Sequence, residues 1–257
     1  MRNLKERVKS LGLNAMLANW QVYENAEWLP QLVADEERER DRRSFERRTR
    51  EARIGQFKPM SEFDWSWPEE VDRDQIEDLF SLNFLEEKSN VVLVGNNGLG
   101  KSMIAQNLAN TAMLRGISTR FVKASEMLTD LAESESSSTR KRRMKKYCNV
   151  GLLVIDEVGY MNYDTRFADL LYEVISSRYQ RAATVVTTNK AFRDWSEIFP
   201  HAACVVTLVD RLTHKAETVV LKGESYRHKE ATEHAALKAR ERKQRKSAKK
   251  ATTAAAS

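Results

Sequence analysis

The chain has 257 residues, 41% of them hydrophobic and 31% charged, with a net charge of +6, nine Gly, four Pro and two Cys. That length buries one substantial core and a smaller appendage. No apolar run approaches the roughly 18–20 residues that span a bilayer, and the N-terminus opens on an amphipathic pattern rather than an apolar secretion signal. Cys148 and Cys204 make neither a disulfide framework nor a four-ligand metal site. These features predict a soluble, cytoplasmic protein with no membrane partner. Charge is unevenly placed: residues 222–257 carry eleven Lys/Arg against four Glu, and the remainder is close to neutral. A basic tail on a neutral body fits polyanion binding, with nucleic acid the usual polyanion, or a solubilising role.

Leu4, Val8, Leu11, Ala15 and Trp20 recur at helical steps and predict one face of an amphipathic helix. From Asp35 to Arg53, fifteen of nineteen residues are charged. Glu36–Arg40, Glu39–Arg43 and Glu46–Arg50 at i,i+4 predict an exposed helix, an arm for a partner chain or DNA, or simply a solvated element. FKPMSEFDWSWP, residues 57–68, breaks the pattern with two prolines and clustered aromatics and reads as a linker or docking strap. Helical spacing resumes over Glu69–Lys88 through Val71, Ile76, Leu79, Phe80 and Leu85.

Beyond residue 89, short apolar β-rich runs alternate with helices. Strands are predicted at Asn90–Val94, Thr119–Lys123, Val150–Ile155 and Ala183–Thr188. Helices are predicted at Ser102–Leu114, after a Ser125 cap, and at Thr165–Arg181. Unalternating strands between helices imply an α/β fold, a parallel sheet covered on both faces. The last thirty or so residues lack apolar periodicity and read as disordered.

Residues 95–102, GNNGLGKS, match G-x-x-x-x-G-K-[ST] between a strand and a helix, the context that makes this phosphate loop credible. Gly95, Gly98 and Gly100 permit backbone conformations and close approach that a Cβ would hinder. Asn96, Asn97, Leu99 and Met103 complete the stretch whose N–H groups and helix N-terminus face a triphosphate. Lys101 neutralises phosphate charge and the Ser102 hydroxyl ligates Mg²⁺. Downstream, LLVIDE delivers Asp156 and Glu157 at the end of a buried strand. Asp156 serves the Mg²⁺ shell and Glu157 the attacking water, as general base. ATVVTT ends in Asn189, which alone suits a turn; after the two motifs it is assigned to the γ-phosphate or the lytic water.

GNNGLGKS, LLVIDEVGY, RYQRAATVVTTN and VDRLTHKAETVVLKGESYR together resemble the IstB family of transposition helper ATPases. That family is kin to DnaC-type helicase loaders in the initiator branch of the AAA+ superfamily. The resemblance implies ATP and Mg²⁺ as cofactors, a homo-oligomeric ring or spiral on double-stranded DNA, and a partner transposase. It also implies an arginine finger from a neighbouring subunit. Arg211, in VDRL, is the candidate; its alternative is a surface Arg paired with Asp210 or Glu217. Arg178 is a second candidate or an interface residue, and Arg227 a substitute nucleotide sensor. With 46 residues after Arg211, a three-helix C-terminal lid is not expected.

RKRRMKK contains Arg140, Lys141, Arg142, Arg143, Lys145 and Lys146, with no aromatic for base stacking. It reads as a loop that neutralises DNA phosphates without sequence readout, or as a solvated loop. The expected organisation is an N-terminal helical arm over 1–68, an AAA+ core over 69–228 and a basic tail over 229–257. The expected function is a DNA-dependent ATPase that prepares duplex target for a transposase. A helicase loader of the DnaC type is the alternative, and a DNA-binding module with a vestigial nucleotide site conflicts with intact Lys101, Asp156 and Glu157.

Overall fold

A computed structural model of the protein describes residues 3–134, 136–160, 164–199, 203–235, 237 and 238. Its helices are α1 (Leu4–Ser10), α2 (Asn14–Ala18), α3 (Trp20–Tyr23), α4 (Leu29–Ala52), α5 (Arg73–Leu79), α6 (Asn83–Glu86), α7 (Lys101–Leu114), α8 (Ala124–Ala132), α9 (Ser137–Cys148), α10 (Thr165–Arg178), α11 (Trp195–Ile198) and α12 (Val205–Thr213). The strands are β1 (Asn90–Gly95), β2 (Thr119–Lys123), β3 (Leu152–Val158), β4 (Ala183–Thr188) and β5 (Ala216–Leu221). None of the described helices is long and apolar enough to cross a membrane.

The chain divides after Ala52 into two compact units, so residues 53–68 group with the second unit rather than with the helical arm. In the first unit the single amphipathic helix expected at the N-terminus is three short ones. Gly12, at φ +65°, takes a left-handed turn that ends α1. Val8, Leu11, Leu29 and Val33 form a small core, and Glu37 of α4 receives a two-pronged hydrogen bond from Arg7. The charged run lies on α4, where Arg40 pairs with Glu36 and Arg43 with Glu39 as the spacing predicts, while Glu46 takes Arg42.

The second unit is built on a five-stranded sheet in the order β2-β3-β4-β1-β5, every pairing parallel. Strands β1 and β4 are apolar and buried because both faces are covered. Leu153 and Ile155 join one cluster with residues of α8, α10 and α12. Their neighbours Leu152 and Val154 alternate to the other face by the two-residue strand period, the face on which α7 packs across β1 to β4.

Predicted and observed boundaries differ where local geometry intervenes. Leu82, at φ +67°, interrupts the helix expected over 69–88 and separates α5 from α6. Ser125 falls inside α8 and makes no cap, since Lys123 holds that position. Strand β3 starts at Leu152 and runs on to Val158 through a bulge between Ile155 and Val158. The edge strand β5 was read only as part of a family block. Residues 229–235, placed in an unstructured tail by composition, continue a helix that begins at residue 226; residues 239–257 lie outside the described residues.

Candidate active site

β1 delivers the phosphate loop and α7 carries it away, so the loop sits at the C-terminal edge of the sheet, where α/β folds place their ligands. Gly100 occupies the N-cap of α7 at φ +90°, with no side-chain cap on the helix. The first N–H groups of α7 therefore remain available to an anion. A Cβ on Gly100 would lie 2.4 Å from a Phe63 ring carbon, and one on Gly98 would lie 2.1 Å from Ser225 Oγ. Both glycines are needed for space as well as for backbone angle. Asn96 and Asn97 are exposed at the loop tip, Leu99 is buried beneath it, and Met103 lines the adjoining cavity.

Lys101 is 4% exposed and folds back on its own loop, donating to the carbonyls of Gly95 at 2.6 Å and Asn96 at 2.7 Å. Burial, the main cause, pushes its pKa down to about 8, opposed by Asp156 and reinforced by the Arg227 charge. Ser102 Oγ donates to Asp156 Oδ1 at 2.9 Å. Burial also raises the Asp156 pKa, while hydrogen bonds from Thr187 and Ser102 hold it down.

Thr187 of β4 organises the two acids. Its hydroxyl donates to Asp156 Oδ1 and accepts the Glu157 N–H at 2.9 Å. Glu157 lies in the β3 bulge at φ +63°, a geometry that redirects its side chain away from the regular pleat. Its carboxylate meets Lys123 Nζ, from the end of β2, at 2.8 Å. Asn189, just past β4, lines a cleft with Asn96 and Asn97. Its buried Oδ1 has no partner among the described residues.

A cavity of about 280 Å³ adjoins the loop and takes its walls from two remote segments, the 57–68 strap and the helix at 226–235. Phe63, Trp67 and Tyr226 make it aromatic, and its charges balance, with Lys58, Lys101 and Arg227 facing Glu62, Asp64 and Glu230. Trp67 Nε1 donates to the Glu224 carbonyl at 2.8 Å, and Tyr226 N–H to the Gly98 carbonyl at 3.0 Å. Asp64 with Lys229 and Lys58 with Glu230 join strap to helix at 3.1 and 3.2 Å.

A profile of the family described as IstB-like ATP binding protein matches residues 4–234. The chain belongs to this family. Among IstB-like relatives, the ATP-binding protein of insertion sequence IS232 from Bacillus thuringiensis is 35% identical over 67% of this chain and 69% of its own length. The ATP-binding protein of IS5376 from Geobacillus stearothermophilus is 31% identical over 80% of this chain and 82% of its own. Among solved structures, DnaI superposes with a TM-score of 0.53 at 18% identity, over 64% of this chain and 90% of that one. The replication initiator DnaA bound to AMPPCP and single-stranded DNA gives 0.50 at 16%, over 63% and 52%. The second unit thus shares the parallel α/β fold of these two solved structures.

The remaining predicted residues of this IstB-like chain fall elsewhere. Arg178 is 1% exposed and donates to the carbonyls of Tyr147, Cys148, Val150 and Ala183 and to Thr184 Oγ1. It is a stitch inside the core and is inaccessible to a second subunit, which corrects its candidacy as finger or interface residue. Arg211 lies on α12, its guanidinium 5.0 Å from the Tyr172 ring and 5.8 Å from the Tyr179 ring. No pairing with Asp210 or Glu217 holds it among the described residues. The RKRRMKK run is not a loop but most of helix α9. Arg140, Lys141, Arg142, Lys145 and Lys146 are exposed there. Arg143 is half-buried and tied to Asp130 at 3.2 Å, and Lys146 also leans on Asp130 at 3.8 Å.

Sequence reasoning missed Lys123, Thr187 and the cavity walls. The pair of threonines that ends the buried strand ATVVTT was the visible trace of Thr187. The aromatic cluster of 57–68 was noticed, but nothing local to it says that it folds over the phosphate loop.

Proposed function

We propose that this chain is a Mg²⁺-dependent ATPase that assembles on duplex DNA, largely without regard to sequence, and there recruits and activates a partner transposase. The observation that carries the ATPase reading is the buried Lys101 ammonium, held by loop carbonyls beside an uncapped helix N-terminus. A triphosphate replaces those carbonyls with the stronger partner, its own oxygens. Phe63, Trp67 and Tyr226 offer the base an aromatic cavity next to the phosphates.

Ser102 and Asp156 form a hydroxyl–carboxylate pair of hard oxygens, which suits Mg²⁺ better than a soft metal. Bound there with the nucleotide, the ion would neutralise charge on the phosphates. Glu157 takes a proton from the attacking water, and Asn189 Oδ1, buried and unpartnered, accepts that water's other O–H. Arg211 acts in trans, on the γ-phosphoryl group of a neighbouring subunit. The exposed cations of α9 supply the DNA contact, and the tail cations add a second. The RKRRMKK stretch has no aromatic for stacking on bases and no Asn or Gln for their edges. The relatives' names, ATP-binding proteins of insertion sequences, support the transposition setting.

The test is the mass of Glu157→Gln complexes on duplex and on single-stranded DNA, in ATP and in ADP. Large assemblies on duplex only in ATP are expected. A preference for single strands would shift the reading to a helicase loader, and nucleotide-independent monomers would overturn it.

A further inference from the structure

Arg211 lies in the last turn of α12. It is only half-buried, and among the described residues it is steadied by two tyrosine rings rather than by a carboxylate. The distinction has chemical weight. A carboxylate would fix the side chain and cancel its charge. The negative face of an aromatic ring attracts a guanidinium without neutralising it, and it limits the rotamers of a long flexible side chain.

The rings are themselves held. Tyr172 sits on α10 and packs on the main apolar cluster. Tyr179 follows the end of α10, where its N–H donates to the Ile175 carbonyl at 2.9 Å. Its hydroxyl is hydrogen-bonded to His214 Nδ1 at 3.2 Å, and the two ring centroids stand 5.6 Å apart. His214 is the C-cap of α12, three residues beyond Arg211. One side chain is thus cradled between the C-terminal half of α10 and the end of α12, with its charge left for an external anion.

We infer that Tyr172 and Tyr179 are positioning residues that hold Arg211 ready for a phosphoryl group bound by a second copy of the chain, with His214 locking the Tyr179 ring. The inference rests on the assignment of Arg211 as a finger acting in trans.

The test separates donor from receiver. Arg211→Ala protomers keep an intact nucleotide site but donate no finger, and Glu157→Gln protomers donate a finger from a dead site. Mixing them on duplex DNA restores hydrolysis. Tyr172→Leu with Tyr179→Leu, added to the Glu157→Gln donors, lowers that restored rate about three- to tenfold, the range expected for losing two ring contacts. The same pair added to the Arg211→Ala receivers leaves it unchanged, which a general folding or assembly defect would not do. Phe at both positions retains the rings and most of the rate. Equal loss from either protomer, or no loss from the donors, overturns the cradle. An absence of restored hydrolysis in the parent mixture, with assemblies intact, overturns the finger assignment and the cradle with it.

Discussion

The Lys123 ammonium lies 2.8 Å from the Glu157 carboxylate, so the proposed base is engaged by a cation from the neighbouring strand. The contact raises the Lys123 pKa, chiefly through the hydrogen bond to Glu157. Lys123 also directly precedes α8, whose Asp130 holds Arg143, Lys146 and the Tyr147 hydroxyl of the basic helix α9. Helix α8 therefore carries at its start the partner of the proposed base and near its end the partner of the proposed DNA-binding helix.

Lys123→Ala frees Glu157 in the protein without DNA. Exposed ion pairs of this kind are weak, so the expected gain in DNA-free turnover is about 1.5- to 5-fold, with a smaller stimulation when duplex is added. Steady-state phosphate release with and without DNA checks this. A fall in turnover would mean that Lys123 assists the reaction instead of restraining it.

The buried Lys101 gives a pH signature. With its pKa pushed down to about 8, the nucleotide-free side chain is charged below that pH and increasingly neutral above it. A bound triphosphate favours the ammonium, so above pH 8 binding takes up a proton and affinity falls, by up to about tenfold per pH unit. Calorimetry at pH 8.5 in buffers of different ionisation heat is expected to show proton uptake. Lys101→Arg abolishes it, because a guanidinium stays charged. Proton release at that pH would contradict the assignment.

How far the sequence disclosed this site depends on how local each feature is. GNNGLGKS and LLVIDE are contiguous strings whose chemistry follows from spacing, and four strands follow from apolar runs bounded by turn residues. β5 was hidden because only Val219 and Leu221 of its six residues are buried, the mark of an edge strand. Thr187 and Lys123 act through register, Lys123 opposite Asp156, and register is not a local property. Arg178 illustrates the opposite error. It was expected to be a second finger or an interface residue, whereas the fold wraps five acceptors around it.

That burial predicts a folding defect and not a catalytic one. Arg178→Ala leaves four carbonyls and the Thr184 hydroxyl without their donor. Buried groups left unpaired cost about 1–3 kcal/mol each before relaxation or water entry, so a loss of at least about 3 kcal/mol is expected. For a unit of this size the melting temperature falls by about 6–12 °C. Arg178→Lys is nearly as damaging, since an ammonium has three donors and no planar fork. An unshifted melt for either variant would show that the acceptors find other donors.

Helix α9 makes a quantitative statement about salt. Each phosphate neutralised by a protein cation contributes about 0.9 to the slope of log affinity against log salt on duplex DNA. Replacing Arg140, Lys141 and Arg142, all exposed, with Ala therefore flattens the slope by about 2–3. Affinity should fall alike on unrelated sequences. Arg143→Ala, whose side chain is already tied to Asp130, should change the slope little. A loss confined to one DNA sequence would point to base readout by these cations and overturn the reading of α9 as a phosphate contact.

Thr187 separates positioning from binding within the nucleotide site. Thr187→Val keeps the shape of the buried β4 position but removes a hydroxyl that serves Asp156 and the Glu157 N–H together. Nucleotide contacts through Lys101 and the loop are untouched, so KM should stay within about twofold while kcat falls about tenfold, a pattern expected when an interaction matters mainly in the transition state. Thr187→Ser restores the hydroxyl and most of the rate. The bulge that sets φ of Glu157 at +63° loses the side-chain acceptor of the Glu157 N–H in the Val variant. A rise in KM with unchanged kcat would instead place Thr187 in ground-state binding, and would remove it from the alignment of the two acids.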